Sequence, residues 1–181
     1  MIEKDLQRDI AFVEATPLEN PEDLISNNPL GKVPALERDR GPTLINSPVI
    51  CEFIDGLNDE NWIPRTGESR LLVLRQQALA DGILDLTMGR RIELTRDDAL
   101  RWAFWAERWE TGIKRAVTQL DEERSSFERS VDLGALSIAV ALFYLDLRFA
   151  EWNWRSDHPE LAEFAKRWGD RESFTLTEPP A

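Results

Sequence analysis

Asn28-Pro29-Leu30-Gly31-Lys32-Val33-Pro34-Ala35-Leu36, followed at a short interval by Leu44-Ile45-Asn46-Ser47-Pro48-Val49-Ile50, is the stretch that decides how this chain folds. Residues 33–37 read as a short strand opened by a proline, residues 38–42 as a hairpin turn around Gly41, and residues 43–45 as the returning strand. Val49, Ile50, Phe53, Ile54 and Leu57 then recur at the spacing of one helix face. Asn46 or Ser47 can cap that helix, and Pro48 suits its first turn. A proline after Val33 admits a cis peptide bond at low cost. Free backbone N–H groups at the start of the helix favour an anion beside Asn46 and Ser47.

Upstream of this stretch, Ile10-Ala11-Phe12-Val13 reads as a strand, and residues 17–29 read as loop with room for a helical turn. Downstream, residues 58–69 are polar, contain Pro64 and Gly67, and read as a linker. Every later segment has helical spacing. Helices are expected over 70–88, over 98–121 with Trp102, Trp105 and Trp109, over 133–149, and over 159–168 with Asp157 as cap. The third is apolar nearly all round, which marks a buried central helix. Residues 177–181 form no regular element. The expected organisation is a mixed domain over 1–64 and an all-helical domain over 68–181.

Composition agrees with a folded globular protein: 181 residues, 42% hydrophobic and 31% charged, with seven Trp. The net charge of −12 repels phosphate backbones and anionic membrane surfaces, so neither nucleic acid nor a membrane is an expected partner. One cysteine, Cys51, and one histidine, His158, supply no metal cluster, and none is expected. The charged start, Met1-Ile2-Glu3-Lys4-Asp5, is unlike a secretory signal, and a cytoplasmic location is expected.

The two quoted strings, in this order and at this distance, resemble the signature of the glutathione transferase family, and most resemble its bacterial YibF-like branch. Leu79-Ala80-Asp81-Gly82-Ile83-Leu84-Asp85, Tyr144-Leu145-Asp146-Leu147-Arg148-Phe149 and Arg171-Glu172-Ser173-Phe174 extend the resemblance over nearly the whole chain. It implies an α+β protein, with a thioredoxin-like first domain and an all-α second domain. It also implies a homodimer that takes glutathione as substrate and joins its thiolate to an apolar electrophile, or uses it for related reductions. A non-catalytic binding or interaction protein on the same scaffold is the alternative.

The resemblance also assigns roles. Val33, before a cis Pro34, offers its main-chain N–H and C=O to the cysteinyl backbone of glutathione in the manner of an added strand. Ser47 and the helix start hold the γ-glutamyl carboxylate. Lys32 pairs with a carboxylate of the ligand, or is a solvated lysine. Asn46 stands where the family usually has an acid; the amide hydrogen-bonds but brings no charge to the ligand's ammonium. Asp81 and Asp85 lie one turn apart, where some relatives carry an acid that reaches glutathione across the dimer. Cys51 and Tyr144 read as structural, and His158 as a turn residue.

In the family, a Ser, Tyr or Cys after the first strand stabilises the thiolate. Here no Ser, Tyr or Cys precedes Ser26, and the strand at 10–13 corresponds to a later one. The expectation is therefore an N-terminally incomplete thioredoxin-like domain, lacking about twenty residues by mean element lengths. The catalytic position would lie upstream of Met1, and transferase activity would be weak or absent.

Overall fold

The structure is a computed structural model and describes residues 1–179. The chain separates into two compact units, Met1–Asn61 and Trp62–Ala181.

The first unit opens with two single 3-10 turns, Ile2–Lys4 and Gln7–Asp9, and a third follows at Pro17–Glu19. Helix α1 (Glu22–Asn27) leads into strand β1 (Ala35–Leu36), which pairs antiparallel with β2 (Leu44–Ile45). Arg38 fixes the intervening turn by donating from Nε and Nη2 to the Pro42 carbonyl at 3.2 and 2.8 Å. Helix α2 (Ser47–Asp55) closes the unit, burying Ile50 and Asp55. Lys4 ties the first turn to the end of α2. Its Nζ lies 3.0 Å from Oδ1 of Asp55 and 3.2 Å from the Asp55 carbonyl, and it also donates to the carbonyl of Glu60.

Residues 10–13, expected as a strand, form no regular element, and Phe12 and Val13 are 80% and 86% exposed. A β-run becomes a strand only when a neighbour completes its ladder. Among the described residues the sheet holds β1 and β2 alone.

The second unit is helical: α3 (Gly67–Leu94), α4 (Ala103–Glu122), α5 (Leu133–Phe149), α6 (Trp154–Asp157), α7 (Pro159–Gly169) and α8 (Glu172–Leu176). The central helix has the expected bounds. Asp132 caps it by accepting from the Ala135 N–H at 2.9 Å. Ile138, Ala139, Ala141 and Leu142 are fully buried, and α5 packs against α3 and α7. By length and composition Leu133–Trp152 could cross a membrane; half of it is buried inside the fold, which accounts for its apolar character. Gly134 permits the close approach of α5 to α3, since a Cβ there would clash with Gln76 Oε1 and meet the Val73 carbonyl at 3.2 Å.

Three expectations for this unit need correction. Helix α4 starts at Ala103, not 98, because 98–100 forms a 3-10 turn and Arg101 and Trp102 are extended. Trp102 is fixed there by its own N–H, which donates to Oε1 of Glu93 at 2.7 Å. The α7 N-cap is His158, not Asp157, which ends α6. The expected linker at 58–69 is not a free tether: Trp62 and Ile63 are buried, and the Trp62 carbonyl accepts from the Leu133 N–H at 3.0 Å. Hydropathy averaged over a polar window conceals two anchoring side chains.

Candidate functional site

The residues expected at the site flank the hairpin of the first unit. Ala35 faces Ile45, and Leu36 faces Leu44. The pairing ends there: the cis Val33–Pro34 bond precedes β1, and Asn46 follows β2 and opens α2 at Ser47. The open end of the hairpin therefore leads to Lys32, Val33 and Pro34 on one side and to Asn46 and Ser47 on the other.

The Val33–Pro34 peptide bond is cis. Val33 is 54% exposed, and neither its N–H nor its carbonyl takes part in a backbone hydrogen bond among the described residues. An exposed, unpaired main-chain donor and acceptor at a strand edge can accept an extended ligand backbone. Lys32 is exposed, with no ion pair among the described residues.

Asn46 is the N-cap of α2, but its side chain makes no capping bond; the expected side-chain cap is absent. Its backbone takes φ 74° and ψ 129°, a region that β-carbon sterics disfavour. The Asn46 carbonyl still accepts from the Ile50 N–H at 3.1 Å, so the helix starts correctly behind the strained residue. The first turn of any helix leaves N–H groups without intrahelical acceptors. Here Pro48 has none, which leaves those of Ser47 and Val49 at the tip. Ser47 is half-buried, so its hydroxyl and these N–H groups form a compact donor set suited to a carboxylate.

Asn28 is the residue that sequence reasoning passed over. It is 2% exposed and holds the loop that presents Val33. Its Nδ2 donates to the Lys32 carbonyl at 2.6 Å, and its Oδ1 accepts from the Leu30 N–H at 3.1 Å. Its own N–H and carbonyl bond to the Leu24 carbonyl at 2.7 Å and the Gly31 N–H at 2.8 Å. The signal was present in the sequence: Asn before Pro-Leu-Gly is an Asx-turn pattern. Gly31, at φ 61°, supplies the left-handed step that the turn requires.

The remaining candidates stand apart from this hairpin end. Cys51 is half-buried on α2 and forms no disulfide. Tyr144 lies on α5, half-buried, with a hydroxyl that has no hydrogen-bond partner among the described residues. His158 pairs through Nδ1 with Oδ2 of Asp121 at 3.0 Å, which makes it a brace between α4 and α7. Asp81 and Asp85 share a face of α3, where burial and the charge of Asp85 push the Asp81 carboxyl up.

Comparison with known proteins joins this geometry to a family. Residues 1–57 match the glutathione S-transferase N-terminal domain, and residues 103–167 match the glutathione S-transferase C-terminal domain. The GST-like protein YibF of Escherichia coli K12 is 32% identical over 173 residues, covering 93% of this chain and 86% of its own. A glutathione transferase family member from Pseudomonas fluorescens Pf-5, solved with bound glutathione, superposes with a TM-score of 0.94 at 36% identity, over 99% of this chain and 90% of that one. A glutathione S-transferase from Methylobacillus flagellatus KT, also with glutathione bound, gives 0.89 at 28% identity, over 95% and 88%. The first unit belongs to a thioredoxin-like domain and the second is the all-helical domain that accompanies it. The chain is a member of the glutathione S-transferase family.

Proposed function

We propose that this chain binds glutathione at the open end of the β1–β2 hairpin and serves to join its thiolate to apolar electrophiles, or to reduce them with it. In this reading the main chain of Val33 pairs with the cysteinyl backbone, Pro34 fixes that edge, and Ser47 with the start of α2 holds the γ-glutamyl carboxylate. Lys32 meets the ligand's other carboxylate, and Asn46 hydrogen-bonds near its ammonium. The observation that carries the reading is a cis Val33–Pro34 bond just before β1 and the start of α2 at Ser47 just after its antiparallel partner β2. Two relatives solved with glutathione support it. The same reading takes the protein to be a cytoplasmic homodimer.

Calorimetric titration with glutathione is the direct test, paired with turnover of a chlorinated nitrobenzene. Saturable binding that weakens in Ser47→Ala, together with turnover, supports the transferase reading. Absence of binding by the unaltered chain overturns it. A second reading, a glutathione-binding protein without transferase chemistry, draws on Asn46, whose amide brings no charge where the family usually has an acid. Binding without turnover would select it.

A further inference from the structure

Asn28 is buried, while Leu30, Lys32 and Val33 on the loop it closes are exposed. Both ends of its side-chain amide are engaged, Oδ1 by the Leu30 N–H and Nδ2 by the Lys32 carbonyl, the latter at 2.6 Å. The amide fits only this way round, because an N–H donates and a carbonyl accepts.

The Lys32 carbonyl and the Val33 N–H belong to one peptide unit. That unit is trans, since the cis bond of this segment is the next one, Val33–Pro34. In a planar trans peptide the C=O and the N–H point in opposite directions. Asn28 draws the carbonyl inward, so the Val33 N–H is turned outward. This N–H makes no backbone hydrogen bond among the described residues. A carbonyl that accepts a hydrogen bond also polarises its peptide, which strengthens the N–H across it as a donor.

Asn28 is itself held by α1. Its own N–H donates to the Leu24 carbonyl at 2.7 Å. Its neighbour Asn27 ties the same end of α1 to both arms of the hairpin. Asn27 Nδ2 donates to Oε1 of Glu37 at 2.7 Å, and its Oδ1 accepts from the Thr43 hydroxyl at 3.0 Å. The hairpin and the Lys32–Val33 peptide therefore share one anchor.

We propose that Asn28 is a positioning residue, which aims the Val33 N–H at a main-chain carbonyl of the ligand and touches no ligand atom itself. This role rests on the reading of the hairpin as a glutathione site. It favours a ligand with an extended peptide backbone, which meets a donor already directed toward it.

The test is titration of the full chain with glutathione, read by calorimetry and by the backbone amide resonances of Val33 and Ser47. Asn28→Asp keeps the shape and the acceptor for Leu30 but loses the donor to Lys32. Asn28→Ala removes the whole amide. In the unaltered chain both resonances should shift. In each variant glutathione should bind about tenfold more weakly. At saturation the Val33 shift should be largely lost and the Ser47 shift kept, whereas a residue that merely held the fold would diminish both together. Relative to the unaltered chain, Asn28→Asp should regain affinity in acid, where the introduced carboxyl carries a proton that can be donated to the Lys32 carbonyl. Asn28→Ala should not. Undiminished affinity in Asn28→Ala, or equal loss of the two shifts, would overturn the assignment. Unfolding of the first unit in both variants would overturn it as well, since Asn28 would then hold the unit and not aim a donor. Absence of binding by the unaltered chain would overturn the glutathione reading and this role with it, so the two failures are told apart.

Discussion

The ammonium of Lys4 lies 3.0 Å from Oδ1 of Asp55, and both side chains are almost wholly shielded from solvent. Lys4 also donates to the carbonyls of Asp55 and Glu60, so one side chain satisfies three oxygens. Removing one partner from a buried pair leaves the other charge uncompensated. Lys4→Ala should therefore destabilise the first unit by about 3–5 kcal/mol in urea unfolding. Adding Asp55→Leu should return only part of the loss, because the two carbonyls stay without their donor.

Ser47 and Asn46 separate binding from stability. Ser47 supplies no cap bond, since the cap position belongs to Asn46. Ser47→Ala should lower glutathione affinity about tenfold while shifting unfolding by less than about 0.5 kcal/mol.

Asn46→Gly should raise stability by about 1 kcal/mol, because glycine meets no β-carbon penalty at φ 74°. Asn46→Asp should instead raise glutathione affinity severalfold, by offering a charge to the ligand's ammonium. The two substitutions move different observables, so calorimetry and denaturation read them independently.

Two carboxylates should give stability opposite slopes in acid. Burial, then the charge of Asp85, holds Asp81 above its ordinary value of 3.8, so the folded state binds the proton more tightly than the unfolded chain. Ionised Asp81 destabilises the fold above that window, and the penalty fades as pH falls through the raised value. Asp81→Asn should stabilise the protein at pH 7 and lose its advantage in acid. Glu93 is the reverse: the Trp102 N–H, with Arg96, holds it below its ordinary value of 4.5. Its contribution is complete above that value and is lost as pH falls through the lowered one. Glu93→Gln should be destabilising at pH 7, by a margin that closes in acid. Urea midpoints across pH 3 to 7 decide both.

Gly134→Ala should cost about 1–3 kcal/mol, because the added methyl meets Gln76 and the Val73 carbonyl where α5 crosses α3. Gly82→Ala is the control. Nothing lies within 4 Å of a Cβ there, so the change should be neutral or mildly stabilising.

The helical unit was legible because its signals are local. The apolar run and Asp132 fix both ends of α5, and Pro159 fixes the start of α7. The failures involve partners that the sequence does not show beside them. Phe12 and Val13 have the composition of a strand but meet no neighbouring strand among the described residues. Trp102 has helical spacing, yet Glu93, nine residues away, holds it extended. At the hairpin, the two motifs were read as two strands and a following helix, and β1, β2 and α2 form there in that order. The strain at Asn46 was not legible, because a non-glycine residue at positive φ is imposed by its surroundings and not by its own preference.

The carbonyl of Trp62 determines where this protein can be cut. A recombinant helical half begun at Gly67, after the polar stretch, would leave the Leu133 N–H without its acceptor and remove the ring that meets Trp168 edge-on at 6.4 Å. A fragment begun at Trp62 keeps both. The useful cloning boundary thus falls inside a segment whose polarity advertises a dispensable tether.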